Sequence, residues 1–236
     1  MALPKIATPT YELKLPSNGK TLRYRPFLVK EEKVLMLASE SENEKDIAQA
    51  IKTIINQCIV TKSIKIQELP SFDIEYIFLN IRGKSVGEVI DLKVPCPDNT
   101  DILVSTTVNV EEIEVTFPEG HNPEIDLGKD VHLYMKYPSM DSFIEANFQG
   151  KDQDPFDIVV KCIDKIVSGD EVHESSDCTQ KELKDFIDSM TSDQFKNIQT
   201  FFETMPKLQH TLQITNPENE KVHDVTLQGL GDFFGS

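Results

Sequence analysis

Apolar and polar positions alternate near the start of the chain. Tyr11, Leu13 and Leu15 take every second place, Ser17-Asn18-Gly19 follows, and Leu22, Tyr24 and Pro26 line one face of the return. This is the pattern of a β-hairpin, with Asn-Gly as its turn signal. The period then lengthens. Residues 30–41 read as a helix carrying Val34, Leu35 and Leu37. Over residues 44–60, Ile47, Ile51, Ile54, Ile55, Cys58 and Ile59 recur at the spacing of a buried helical stripe. Residues 71–82 repeat that spacing with Ile74, Ile77, Phe78 and Ile81, and the Gly83 to Gly87 region ends the element.

From residue 88 the period drops back to two. Val89, Asp91 and Lys93 face one way, and Ile90, Leu92 and Val94 the other. Pro95-Cys96-Pro97-Asp98-Asn99 makes a turn, and Ile102, Val104, Thr106 and Val108 form the return strand. A short strand at 113–117 follows. Residues 118–130 hold prolines, glycines and several acids and read as a loop. A strand is predicted over 131–137 and a short helix over 140–147. Asp154-Pro155 carries a helix-start signal, with Phe156, Val159, Val160, Ile163 and Val167 as the buried stripe behind it. Residues 168–178 read as a polar loop. Thr179 with Glu182, and Thr191 with Gln194, have capping-box spacing. The helices they open bury Leu183, Phe186, Ile187 and Met190, then Phe195, Ile198, Phe201 and Phe202; Pro206 stops the second. The tail is another hairpin: Leu212 and Ile214, a turn at Asn216-Pro217-Glu218-Asn219, then Val225 and Leu227.

Together these elements predict a single α+β domain over residues 1–236. It is expected to be mainly helical, with two or three β-hairpins attached and the loop at 118–130 as its candidate internal boundary.

Composition narrows the function classes. Asp and Glu number 40 against 24 Lys and Arg, a formal charge of −16. Such a surface repels phosphate backbones and anionic lipid heads, so neither nucleic acid nor a membrane is an expected partner. No apolar run reaches the ~18–20 residues that cross a bilayer. Met1-Ala2-Leu3-Pro4-Lys5 leads into polar sequence rather than a signal peptide, so the chain is expected to stay where it is made. Cys58, Cys96, Cys162 and Cys178 form no C-x-x-C pair, and reduced thiols are expected.

The motif search predicts no catalytic, cofactor or metal residues. Phosphate-cradling glycine patterns are absent. The turns at 95–99 and 216–219 stand where a zinc ribbon would carry cysteine pairs, but the second has no cysteine. His121, His132, His173, His210 and His223 sit in no recognisable motif and read as surface or strand-end histidines. The C-terminus is more distinctive. Leu227, Leu230 and Phe234 fall at i, i+3 and i+7, and Phe233-Phe234 is an aromatic pair at a chain end. Two adjacent phenylalanines there need burial. They either fold back onto the protein or dock into a partner, which makes Leu230, Phe233 and Phe234 the candidate partner-binding residues.

Several segments, in order along the chain, resemble one family. They are Ala2-Leu3-Pro4-Lys5, Tyr11-Glu12-Leu13, and Gly19-Lys20-Thr21-Leu22-Arg23-Tyr24-Arg25-Pro26-Phe27-Leu28-Val29-Lys30-Glu31-Glu32-Lys33. Tyr134-Met135-Lys136-Tyr137-Pro138-Ser139, Met205-Pro206-Lys207-Leu208-Gln209-His210 and Gln228-Gly229-Leu230-Gly231-Asp232-Phe233-Phe234 complete the set. The family is the small baseplate hub subunit of T-even-type contractile-tailed bacteriophages. The resemblance implies a late phage protein, made in the host bacterial cytoplasm, that helps to build the hub of the tail baseplate. Its implied partners are other baseplate hub or tail proteins. The G-K-x-x-x-x-R-P opening followed by helices is also similar to small phage tail-assembly chaperones. The family brings no catalytic residues to carry over, and the resemblance leaves open whether the protein stays in the finished virion.

Overall fold

The computed structural model describes residues 6–41, 43–139, 141–142 and 156–234, the side chains of Glu44 and Phe234 excepted. The chain divides into two compact units. The first comprises residues 1–66, 72–116 and 207–236; the second comprises 67–71 and 117–206. The chain thus enters the second unit twice, briefly at 67–71 and then from Phe117, just before the 118–130 stretch, to Pro206.

The first unit opens with the expected hairpin. Strands β1 (Tyr11–Lys14) and β2 (Thr21–Tyr24) pair antiparallel, with Leu13 opposite Leu22. Gly19 takes φ +68, a conformation glycine adopts without strain, and the Asn18 side chain accepts a hydrogen bond from the Lys20 N–H. Helix α1 (Val29–Glu40) follows, then α2 (Glu44–Cys58), whose first turn is capped by Asn43. The stripe of α2 is buried as its spacing predicts: Ile51, Ile54, Ile55 and Cys58 are all inside. Helix α3 (Ser71–Val86) buries Phe72, Ile74, Ile77, Phe78, Leu79 and Ile81. It runs through Gly83 rather than ending there. A side chain at 83 would press on Val110, 3.2 Å from Cγ1, so this glycine serves close packing. Gly87, at φ +120, ends the helix.

Strands β3 (Val89–Cys96) and β4 (Asn99–Asn109) form a long hairpin whose Ile90, Leu92, Val94 and Cys96 point inward. Further on, β5 (Glu114–Thr116) pairs with β10 (Lys207–Thr215), which pairs in turn with β11 (Val222–Gln228). One core joins this hairpin, this three-stranded sheet, Leu79 of α3 and Phe233.

The second unit is built on a four-stranded antiparallel sheet in the order β6-β7-β8-β9. Its strands are β6 (Glu124–Gly128), β7 (Val131–Met135), β8 (Ile163–Ser168) and β9 (Glu171–Glu174). Helices α4 (Phe156–Lys161), α5 (Gln180–Asp188) and α6 (Ser192–Glu203) contribute Val159, Val160, Leu183, Ile187, Ile198 and Phe201 to its core. Both capping boxes are made. Glu182 accepts from the Thr179 N–H at 2.7 Å, and Gln194 from the Thr191 N–H at 2.9 Å.

The expectation of a mainly helical fold is overturned. Among the described residues, eleven strands in four sheets accompany the helices, so the protein is a mixed α+β fold. Three segments account for the difference. The stripe expected to run helically from Phe156 through Val167 breaks at Cys162, and Ile163, Ile166 and Val167 belong to strand β8. Short apolar runs rich in β-branched residues suit either period, and pairing with β7 and β9 decides for the strand. The 118–130 loop contains β6, with a turn to β7 in which Gly128, Lys129 and Asp130 all have positive φ. The 168–178 loop contains β9, an exposed edge strand without an inward apolar set. Most of the helix expected over 140–147, and the Asp154-Pro155 start, lie outside the described residues.

Candidate functional site

The C-terminal segment carries the predicted site residues. Gly229, at φ +67, turns the chain out of β11, and α7 (Gly229–Phe234) follows. The Asp232 carboxylate accepts a hydrogen bond from the Gln228 N–H at 2.7 Å and so caps the short helix. Phe233 is 1% exposed, within the core that holds Leu208, Ile214 and Leu227. Leu230 is half-buried and packs against the same core. The side chain of Phe234 lies outside the described residues.

Glu75 of α3 stands beside this closing element, its Oε1 3.6 Å from where a Cβ on Gly229 would lie. Burial raises its carboxyl pKa to about 7. An unfolded glutamate ionises well below that. The folded state therefore favours the protonated form, and stability falls as pH rises from the unfolded value through 7. Glu75→Gln removes the charge and keeps the shape. It is expected to raise the melting temperature at pH 8 and leave it nearly unchanged at pH 5. Equal effects at both pH values would mean that ionisation of Glu75 does not matter.

Two hairpin tips meet at Asp98, in the turn between β3 and β4. Its Oδ1 accepts from Asn216 Nδ2 and its Oδ2 from Asn219 Nδ2, both at 2.8 Å; His223 Nε2 is 3.2 Å from Oδ2. Asn216 is itself buried, and its Oδ1 accepts from the Glu218 N–H. The hydrogen bonds from Asn219 and Asn216, with the nearby imidazole, hold Asp98 down to about 2. These are the turns where a zinc ribbon would carry its cysteine pairs, a reading that the missing cysteines of the second turn argue against. The structure brings the two turns together, but a carboxylate clasped by two carboxamides occupies the place. Among the described residues, no three His, Cys, Asp or Glu side chains are arranged to share a metal ion.

A buried carboxylate, Glu31, organises the start of α1. It accepts from Arg25 Nη2 at 2.9 Å and from the Leu28 N–H at 2.7 Å, with Lys30 Nζ 3.2 Å away. Burial pushes the carboxyl up. The hydrogen bonds from Arg25, Leu28 and Lys30 outweigh that and hold it below its ordinary value. Glu31 thereby supplies the N-terminal cap that Leu28 has no side-chain oxygen to provide.

Ser85, in the G-x-S-x-G run Gly83-Lys84-Ser85-Val86-Gly87, lies near the end of α3, where its hydroxyl donates to the Ile81 carbonyl and accepts from the Phe27 N–H. His121 Nδ1 lies 2.9 Å from Thr204 Oγ1, and Nε2 lies 3.0 Å from the Tyr137 hydroxyl. The Thr204 hydroxyl proton already goes to the Thr200 carbonyl. Nδ1 therefore carries the hydrogen, and Nε2 accepts from Tyr137. The ring stacks on Tyr137 and lies against Phe201, and burial lowers its pKa, so it is held neutral. His132 faces Glu124, His173 faces Glu171, and His210 bonds the Glu112 carbonyl. Cys58 and Cys162 are buried, and burial drives their thiols to about 11 and about 12. Thiols that stay protonated are poor nucleophiles. An open groove of about 300 Å³ in the second unit is lined by Val131, Ile166, His173, Cys178, Leu183 and Phe186 among others. No helix among the described residues is long and apolar enough to cross a membrane.

No solved structure matches this chain. Sequence comparison is informative over almost its whole length. The chain is 25% identical to the baseplate hub assembly protein gp26 of Enterobacteria phage T4 across 225 residues, which is 95% of this chain and 97% of that protein. The model of one family, described as T4 bacteriophage base plate protein, matches residues 8–235, and with that span this chain belongs to the T4 bacteriophage base plate protein family.

Proposed function

We propose that this protein is a non-enzymatic interaction protein in the assembly of the phage tail baseplate hub. The observation that carries this is the end-to-end match, since a relative named for hub assembly aligns with both units rather than with a fragment. The site chemistry agrees. Histidines are committed to hydrogen bonds and carboxylates, and the strongest polar clusters, at Asp98 and Glu31, tie elements of the fold to one another. Its partners are other baseplate hub or tail proteins, and it meets them in the host cytoplasm. The acidic surface of charge −16 leaves nucleic acid and membrane outside that set.

The family's description as a base plate protein favours a place in the finished tail as well. A tagged copy recovered from infected cells is expected to bring baseplate proteins with it; recovery alone would contradict the proposal. Mass spectrometry of purified particles beside the lysate then separates a retained subunit from a released assembly factor.

A further inference from the structure

Among the described residues, helix α1 leaves a face of the first unit without a partner. Only Glu31 and Ala38 are buried along its twelve residues. The run Val34-Leu35-Met36-Leu37-Ala38 places five apolar residues in succession, which on a helix reach round every side. The protein's own core takes Ala38 and part of Leu35. Val29, Met36 and Leu37, at i, i+7 and i+8, remain 66%, 57% and 67% exposed, with Val34 at 39% beside them. With the neighbouring Leu28, this amounts to roughly 500 Å² of mainly apolar surface, the size of the largest functional patches on monomers. Elsewhere the protein carries a strong excess of acids. Here the exposed polar neighbours are Lys30, Lys33, Ser39 and Glu40, so the ridge is close to neutral.

We infer that this ridge is a docking surface for a helix of another baseplate protein, one of neutral or basic net charge. The inference rests on the hub-assembly function proposed above. Two observations select a foreign partner over a second copy. Two chains of charge −16 repel one another, whereas a neutral or basic chain is accepted or drawn in. Area points the same way. Two such ridges face to face bury only about 1,000 Å², below the ~1,200 Å² at which stable interfaces begin. A different partner can add contacts beyond the ridge. The straight stripe of Val29, Met36 and Leu37 along one helix suits ridge-to-groove packing against another helix.

The test places a photo-crosslinking residue at Leu37 in protein made during infection, with a control at exposed Thr107. The expected result is one adduct from position 37 with a phage baseplate protein of neutral or basic pI, and none from position 107. The double variant Met36→Asp/Leu37→Asp should melt with the wild type, because both side chains face solvent. It should nevertheless lower the yield of infectious particles at least tenfold in cells that rely on it. Three results would overturn the inference: an adduct with a second copy, an adduct only from position 107, or full particle yield with the folded double variant. The hub-assembly proposal fails separately, if phage lacking the wild-type gene assemble normally.

Discussion

Phe233→Ala is expected to cost about 3–5 kcal/mol of stability, the usual penalty for emptying a phenylalanine site in a packed core. The size follows from placement. Phe233 is 1% exposed and shares its core with Leu79 of α3, the inward face of the β3–β4 hairpin and the sheet strands β10 and β11. Truncation removes the ring and leaves a cavity that none of these elements can readily fill. Urea unfolding of the purified variant measures the loss, and a change below about 1 kcal/mol would contradict this closing role. Leu230, Phe233 and Phe234 as a partner-binding element is a separate proposal. It requires α7 to be lent to a neighbour, and its signature is complex formation lost under conditions in which the variant is still folded.

Arg25→Met is expected to cost about 3 kcal/mol near neutral pH, and to cost less in acid. Glu31 is 1% exposed and Arg25 17%, so solvent screens little of their contact at 2.9 Å. Removing the arginine leaves a buried carboxylate with a poorer set of donors, which is the costly way to break such a pair. It also takes away the donors to the Pro26 carbonyl and the Cys58 sulfur.

The sign of the pH dependence follows from linkage. In the wild type the Glu31 pKa is held low, so the pair stabilises the fold above the unfolded glutamate value. That contribution is lost as pH falls through the folded one. Without Arg25 the strongest opposing hydrogen bond is gone, so burial weighs more and the Glu31 pKa rises from its wild-type position. The variant therefore lacks the gain in stability that the wild type makes as pH rises. The gap between wild type and variant should be widest at pH 7–8 and narrow toward pH 4. A gap independent of pH would mean that lost packing, not charge, sets the cost.

Much of this architecture was legible in the sequence. The stripes of α2 and α3, the alternation of β3 and β4, and the capping pairs Thr179/Glu182 and Thr191/Gln194 all appear where local spacing predicts them. These features are decided within a few residues. What escaped depends on distant pairing. Strand β9 is exposed throughout and becomes a strand because β8 lies beside it. In β6, Ile125 and Leu127 do alternate, but the surrounding glycine, proline and acidic residues mask them. Ile163 and Val167 continue a helical spacing that the sheet overrides.

The candidate surfaces divide in the same way. The aromatic pair at the C-terminus stood out because two phenylalanines near a chain end are conspicuous. The Asp98 clasp was not visible, since Asn216 and Asn219 lie more than a hundred positions away and asparagine in a turn is unremarkable. The ridge on α1 did have a signal, in the unbroken apolar run from Val34 to Ala38. A helix that is apolar on several sides must be covered on more than one of them.

On this account the chain works through its surfaces to bring a baseplate hub together. The most direct measurement adds purified protein to an extract of cells infected with phage lacking its gene, and counts completed hubs by sedimentation and electron microscopy. The expected result is an extract without hubs in which they appear in proportion to the protein added. An extract that already holds normal hubs, or one in which the added folded protein restores none, would contradict the claim.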